Sequence, residues 1–256
     1  MDPEALRIPE EWSVHVPLRS TDLRVETPEF VFSRGGGSGG AIVRPRIAGV
    51  DVEAAVERAR ALGREHGVPD LTWWCGRHAE PADLAERLLA LGCVPEPEAP
   101  VLTTLALTRA PAGTPTTDVR RVDDAEGYLA ALEIDWESFA TPAAERELRR
   151  ERAAEDWPAI RDAGIVVHHL AYAAGEPVAY SRTVFLPQAA LLLGGGTLPA
   201  ARGRGAYLSL VHRRWDEAVE RGTPALVVAA GAMSAPILER LGFEFHGETR
   251  LILDRL

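Results

Sequence analysis

At 256 residues, with 46% hydrophobic residues and a mean hydropathy of −0.08, the chain is long enough for one large domain or two smaller ones with a real core. A formal charge of −10 excludes a general nucleic-acid binder, which needs a basic face to displace counterions, but leaves room for one local basic pocket. All 28 basic residues are arginine, and without lysine neither Schiff-base chemistry nor the Walker phosphate loop is available.

The segment MDPEALRIPEEW has no basic lead and no apolar run, so it does not read as a signal peptide. No stretch approaches the roughly 18 apolar residues of a membrane span, and a cytoplasmic location is expected. Cys75 and Cys93 are too few for a disulfide framework or a zinc site; both flank apolar segments and read as reduced core thiols, and no metal is expected. The glycine-rich SRGGGSGG (33–40) precedes a strand-like AIV rather than a helix start, so it reads as a flexible hairpin loop and not a phosphate site. DVEAAVERARALGREHG then reads as a helix, GVPDLTWWCG (67–76) as a strand between turns, and LAERLLALGC as a helix ending in a Leu-Gly step.

ALTRAPAGTPTTDVRRV mixes proline, glycine and threonine and reads as a linker near 109–117. After it, DVRRV reads as a short strand, 124–138 and 143–162 as helices, and IVVHHLAYAAGEPVAYSRTVFLPQAALLLGGGTL as a meander of three strands. A helix over 205–221 places Leu208, Val211, Trp215 and Ala218 on one face. Strand 225–230, helix 234–241 and a final strand at 243–254 follow. The class is α/β with a mixed sheet.

The two halves repeat. GVPDLTWWCG and GTPALVVAAG (222–231) share Gly, Pro, Leu and Gly at identical spacing, each behind a helix and ahead of a second helix that ends in Leu-Gly. This is an internal duplication whose first copy, with a shorter run before its long helix, lacks elements. The division expected is 1–110 and 117–256.

TLPAARGRGAYLSLVHRRW (197–215) carries the chemistry. The first N–H groups of a helix lack internal partners and sit at the positive end of its dipole. Gly203 and Gly205 let the backbone approach an anion as a nest, and Arg202 and Arg204 add charge. From this string alone, a glycine-kinked turn is equally good. The corresponding RPRIAGVDVEAAV has no glycine nest and puts Asp51 at the helix start, where a carboxylate caps the helix and repels an anion.

With these residues in place, the second copy resembles the GNAT N-acetyltransferase superfamily, whose acetyl-CoA signature is R/Q-x-x-G-x-G/A. Arg202, Gly203, Arg204 and Gly205 follow Leu198-Pro199 as in the family, with Ala206 next and Tyr207 at the last Gly/Ala position. ILERLGF (237–243) matches L-Y-x-x-L-G-F except that Leu238 replaces the tyrosine that usually acts as general acid. The resemblance covers roughly 117–256 and makes the first half a truncated, degenerate copy, as in tandem GNAT proteins. It implies a mixed, mostly antiparallel central sheet flanked by helices.

It also implies that acetyl-CoA is co-substrate and that a small-molecule amine attacks the thioester directly. Gly196, Thr197 and Leu198 then offer backbone groups to the carbonyl and pantetheine, and Ser234 is a further cofactor contact. For the base, ALEIDWESFATP offers Glu133, Asp135 and Glu137, with Glu133 and Glu137 on one helix face. His168 and His169 point to opposite faces of a strand. Glu137 is favoured, with His169 behind it. The first half either walls the cleft or makes a homodimer contact. The alternative from a different class is a non-catalytic acyl-CoA-binding or interaction protein of the same fold.

Overall fold

The computed structural model describes residues 1–35, 39–47, 49 and 51–256. In chain order, a short helix α1 (Trp12–His15) leads to strands β1 (Leu23–Glu26), β2 (Val31–Arg34) and β3 (Gly40–Val43). Helix α2 (Val52–Glu65), strand β4 (Asp70–Cys75), helix α3 (Leu84–Ala90) and strands β5 (Val94–Pro95) and β6 (Val101–Leu107) complete this half. The second half runs β7 (Asp118–Arg121), α4 (Ala125–Ser138), α5 (Ala143–Ala163), β8 (Val166–Ala173), β9 (Glu176–Phe185) and β10 (Ala190–Thr197). It ends with α6 (Ala206–Glu220), β11 (Leu226–Ala230), α7 (Ala235–Arg240) and β12 (Glu244–Arg255). The class is therefore mixed α/β, as the patterning predicts. No helix among the described residues is long and apolar enough to cross a membrane. Of the glycine-rich hairpin loop, Gly36, Gly37 and Ser38 lie outside the described residues, while its flanks β2 and β3 pair antiparallel.

The chain forms two compact units that interleave along the sequence rather than part at the linker. One unit gathers Leu6–Leu105, Ala229–Pro236 and Phe245–Leu256; the other gathers Met1–Ala5, Ala106–Val228 and Ile237–Glu244.

In the first unit the strand order is β1-β2-β3-β4-β12-β6. β1 to β3 form an antiparallel meander, β3 runs parallel to β4, and β12 pairs antiparallel with β4. Alternation along β4 buries Leu71, Trp73 and Cys75, which join Phe30, Phe32, Val56 and Leu88 in the core. Cys75 and Cys93 are free buried thiols, with burial raising Cys75 to about 12 and Cys93 to about 11. On β12, Asp254 is only 2% exposed, and both carboxylate oxygens accept from Arg60 of α2 at 2.9–3.1 Å. Removing one partner of such a pair strands a buried charge. Arg60→Leu is expected to destabilise the protein by about 3 kcal/mol, read as a lowered urea midpoint, and Asp254→Asn to cost less.

In the second unit the order is β11-β10-β9-β8-β7, with β7 to β10 antiparallel and β10 parallel to β11. Helix α6 buries Ala206, Leu210, Val211, Trp215 and Ala218. Leu208, expected on that face, is only half-buried and lies against Gly113 of the linker. The linker is held to this unit: the N–H groups of Thr116 and Thr117 both donate to Ser209 Oγ at 3.1 Å, and Ala112 N–H donates to the Leu241 carbonyl.

The duplication is visible bond by bond. Each copy has a three-strand meander whose last strand leads through a long helix to a parallel strand. Both long helices end in a left-handed glycine, Gly67 (φ 67°) and Gly222 (φ 77°), with matching wraparound bonds from Val68 N–H to the Gly63 carbonyl and Thr223 N–H to the Ala218 carbonyl. Both following helices close at the Leu-Gly step in the same way, through Gly92 (φ 92°) and Gly242 (φ 99°), with Cys93 N–H to the Leu88 carbonyl and Phe243 N–H to the Leu238 carbonyl. Among the described residues, the first copy has no counterparts of β7, α4 and α5 ahead of its meander.

Candidate active site

The two copies part company at their long helices. α2 begins at Asp51, whose carboxylate accepts from Glu53 N–H at 3.0 Å, and α4 begins at Asp124, which accepts from Gly127 N–H at 2.7 Å. These are ordinary side-chain caps. α6 begins at Gly205, which has no side chain, and its first turn contains no acidic residue. Gly203 and Gly205 both have left-handed backbones, at φ 75° and 85°. A Cβ at Gly205 would lie 2.7 Å from Thr116 Oγ1, whereas space at Gly203 is open. Arg202, Gly203 and Arg204 are exposed, with Arg202 Nε donating to the Thr197 carbonyl at 3.2 Å. The expected loop is thus an exposed, cationic turn with two left-handed glycines at the mouth of a 15-residue helix.

A second difference lies just before it. β3 pairs with β4 from Gly40 to Ile42, nearly its whole length. β10 pairs with β11 only at Ala190 and Leu191, then continues to Thr197 without that partner. A bulge between Leu192 and Gly194 accompanies the separation. Leu198 N–H donates to the Val178 carbonyl on β9, so strand alternation turns the backbone groups of Thr197 and Gly195 toward the edge that β11 has left.

Side chains crowd the three glycines, most tightly at Gly196. A Cβ at Gly196 would meet Ser138 Oγ at 2.5 Å, one at Gly195 would meet an Arg214 terminal nitrogen at 2.8 Å, and one at Gly194 would meet Tyr180 Oη at 3.0 Å. The side chains of α4 and β9 press on one face of the splayed strand, and those of α6 on the other. On the α4 face, Tyr180 donates its hydroxyl to Asp135. Burial, reinforced by the Asp135 charge, raises the Tyr180 phenol well above its ordinary value, so it keeps its proton. Several buried polar atoms around the splay lack partners: Ser138 Oγ, Thr197 Oγ1, Arg182 Nε and Arg214 Nε.

The helix phase corrects the expected base. Glu133 and Glu137 do share a face, and it is the solvated one: Glu133 pairs with Arg150 at 3.2 Å and Glu137 is exposed. Asp135, two positions away and so on the far side of the helix, is the carboxylate brought to Tyr180. His169 is corrected too. It is fully buried on the α6 face of β8, with Nε2 3.0 Å from Glu217 Oε2, while His168 packs edge-on against Tyr128 of α4 at 5.2 Å. Glu217 also accepts from Arg221 at 2.8 Å, so His169 belongs to an internal network.

That network has a pH signature. Burial lowers the His169 pKa despite Glu217, so the unfolded chain takes up this proton first, and stability falls as pH drops below about 6.5. Glu217 is held to about 2 against an ordinary 4.5; its contribution is present above 4.5 and is lost from there toward 2. His169→Asn is expected to flatten the upper part of the stability–pH curve and to shrink the lower part, because His169 helps Arg221 hold Glu217 down, as read by urea midpoints across pH.

Tyr207, at the family's Gly/Ala position, is half-buried, and a Cβ at Gly195 would meet its ring at 3.3 Å beside the Arg214 guanidinium. Leu238 is fully buried, an apolar core residue where the resemblance implies an acid. Ser234 belongs to the other compact unit, and its hydroxyl donates to the Gly231 carbonyl at 3.2 Å in the turn before α7. Among the described residues no group of His, Cys, Asp and Glu is arranged to hold a metal.

No protein-family model and no curated protein sequence matches the chain. Solved structures do, and they define the class: this is the GNAT N-acetyltransferase fold. A GCN5-related N-acetyltransferase from Kribbella flavida is similar with a TM-score of 0.70 at 19% identity, covering 99% of this chain and 96% of that one. A second, from Sphaerobacter thermophilus, gives 0.60 at 18% identity over 89% of this chain and 80% of that one. More particularly, a tandem GNAT protein of the clavulanic acid biosynthesis pathway, solved without acetyl-CoA, gives 0.64 at 15% identity over 98% and 94% of the two chains. The tandem form of the fold therefore spans nearly the whole sequence.

Proposed function

We propose that the protein is an acetyl-CoA-dependent N-acetyltransferase that acts on a small-molecule amine through its second copy. One observation carries this reading. A strand released from its parallel partner leads, in that copy alone, into an uncapped helix behind two left-handed glycines. The loop from Arg202 to Gly205, with the N–H groups of Ala206 and Tyr207, fits a diphosphate by charge and by backbone donors. Thr197 and, in place of the expected Gly196 and Leu198, whose phase faces β9, Gly195 fit the pantetheine arm along the vacated edge. Acetyl-CoA brings an activated thioester; the chain supplies position, donors and a base.

Asp135 is that base. Tyr180 donates to one side of its carboxylate and, retaining its own proton, orients it to accept a proton from the amine. With Leu238 in place of an acid, the departing thiolate relies on its own modest basicity, a thiol pKa being about 8.5. That same substitution favours a second reading, acyl-CoA binding without turnover. Release of free thiol from acetyl-CoA across an amine panel separates the two: amine-dependent release supports the transferase, and CoA binding with no release from any amine supports the binding protein. Within this proposal the first copy, with its helix capped by Asp51, has lost the cofactor and is left to make a dimer contact. The proposed location is the cytoplasm.

A further inference from the structure

Two arginines grip the bulge at which β10 leaves β11. Arg182 of β9 donates to the Leu193 carbonyl at 3.0 Å, and Arg214 of α6 donates to the Gly194 carbonyl. They approach from opposite faces, because Arg182 pairs with Gly194 on the α4 side whereas Arg214 lies beneath the Cβ direction of Gly195. Neither has a carboxylate within ion-pair distance among the described residues, although Arg214 is only 1% exposed and the Nε atoms of both are buried without partners. Holding the strand open could be done by neutral donors. Burying a guanidinium without a counter-charge is costly, and a merely structural clamp has no use for that cost.

We propose that Arg182 and Arg214 are positioning residues that polarise the Gly194 and Gly195 peptides and make their N–H groups stronger donors. The carbonyl of Leu193 shares its amide with Gly194 N–H, and that of Gly194 shares its amide with Gly195 N–H. A cation on the oxygen draws electron density through the planar amide and makes the hydrogen at its other end more positive. Strand alternation points Gly195 N–H at the edge β11 has vacated, and in the trans amide it lies opposite the carbonyl that Arg214 holds. Charge developing on an acyl carbonyl oxygen there meets the strengthened Gly195 N–H, while Gly194 N–H, on the β9 side by the same alternation, holds the bulge. This role in acyl transfer rests on the acetyltransferase reading above; the polarisation itself does not.

The amide shifts are read first at Arg182, which is half-buried, because loss of the fully buried Arg214 can compromise folding; turnover is read at Arg214, in variants whose urea midpoints show them folded. Arg182→Gln retains a donor for the Leu193 carbonyl but removes the charge; Arg182→Lys retains the charge. In the full-length protein without ligand, Arg182→Gln is expected to move the Gly194 amide proton upfield relative to Arg182→Lys and wild type, with Arg214→Gln doing the same at Gly195. In turnover, Arg214→Gln is expected to lower kcat about tenfold with CoA affinity unchanged, and Arg214→Lys to recover most of the loss. Amide shifts that follow donor geometry alone, with Gln and Lys alike, would overturn the proposal. So would equal kcat in the Gln and Lys variants. Shifts as expected in a protein that turns over no amine would instead overturn the acetyltransferase reading and leave the polarised peptides standing.

Discussion

Replacing Asp135 by asparagine is expected to lower kcat by between about a hundredfold and ten-thousandfold, the range for loss of a positioned general base, with the KM for acetyl-CoA nearly unmoved. Asparagine keeps the size of the side chain and can still accept from Tyr180, so the fold and the tyrosine remain in place. What disappears is the proton acceptor. The loss should shrink as pH rises and the amine deprotonates in solution, which a purely structural defect would not reproduce. Glu137→Gln, on the solvated face of the same helix, is expected to change kcat by less than about twofold, as for a surface substitution. Steady-state kinetics of the two variants side by side checks both statements.

The second large effect concerns the loop. Gly203→Glu is expected to weaken coenzyme A binding at least a hundredfold, because the new carboxylate faces the diphosphate, and like charges in contact cost several kcal/mol. Gly203 is the better position for this test than Gly205, where a Cβ would collide with Thr116 Oγ1. The matched control is Gly49→Glu in the first copy. Gly49 has nearly the same left-handed backbone, φ 81° against 75°, and equally open surroundings, so both variants carry the same strain, about 1–2 kcal/mol. Only the first should lose coenzyme A, as measured by calorimetry.

Much of the fold was legible because its signals are local. The Leu-Gly steps at 91–92 and 241–242 ask for a left-handed glycine after a helix, and both helices end that way. Asp51 at a helix start reads as a cap and is one. Helical spacing put Glu133 and Glu137 on a shared face, but spacing alone does not say which face meets the sheet. That depends on Tyr128, Ala131 and Ile134, whose burial turns Asp135 inward and Glu137 out. Alternation likewise separated His168 from His169 without saying that α6 would cover the latter. Arg214 was the least legible residue. In HRRW it looks like one more surface arginine, and only the Gly194–Gly196 run, which leaves room for side chains from both faces, hinted that something large lay beneath. The interleaving of the units was also hidden, since the pairing of β12 with β4 joins residues from opposite ends of the sequence.

The central claim is that one copy alone retains a coenzyme A site, built on the β10–α6 junction. Calorimetric titration of the full-length protein with coenzyme A tests it most directly. The account predicts one molecule bound per chain, abolished by Gly203→Glu and untouched by Gly49→Glu. Two molecules per chain, no binding at all, or binding indifferent to Gly203→Glu would contradict it.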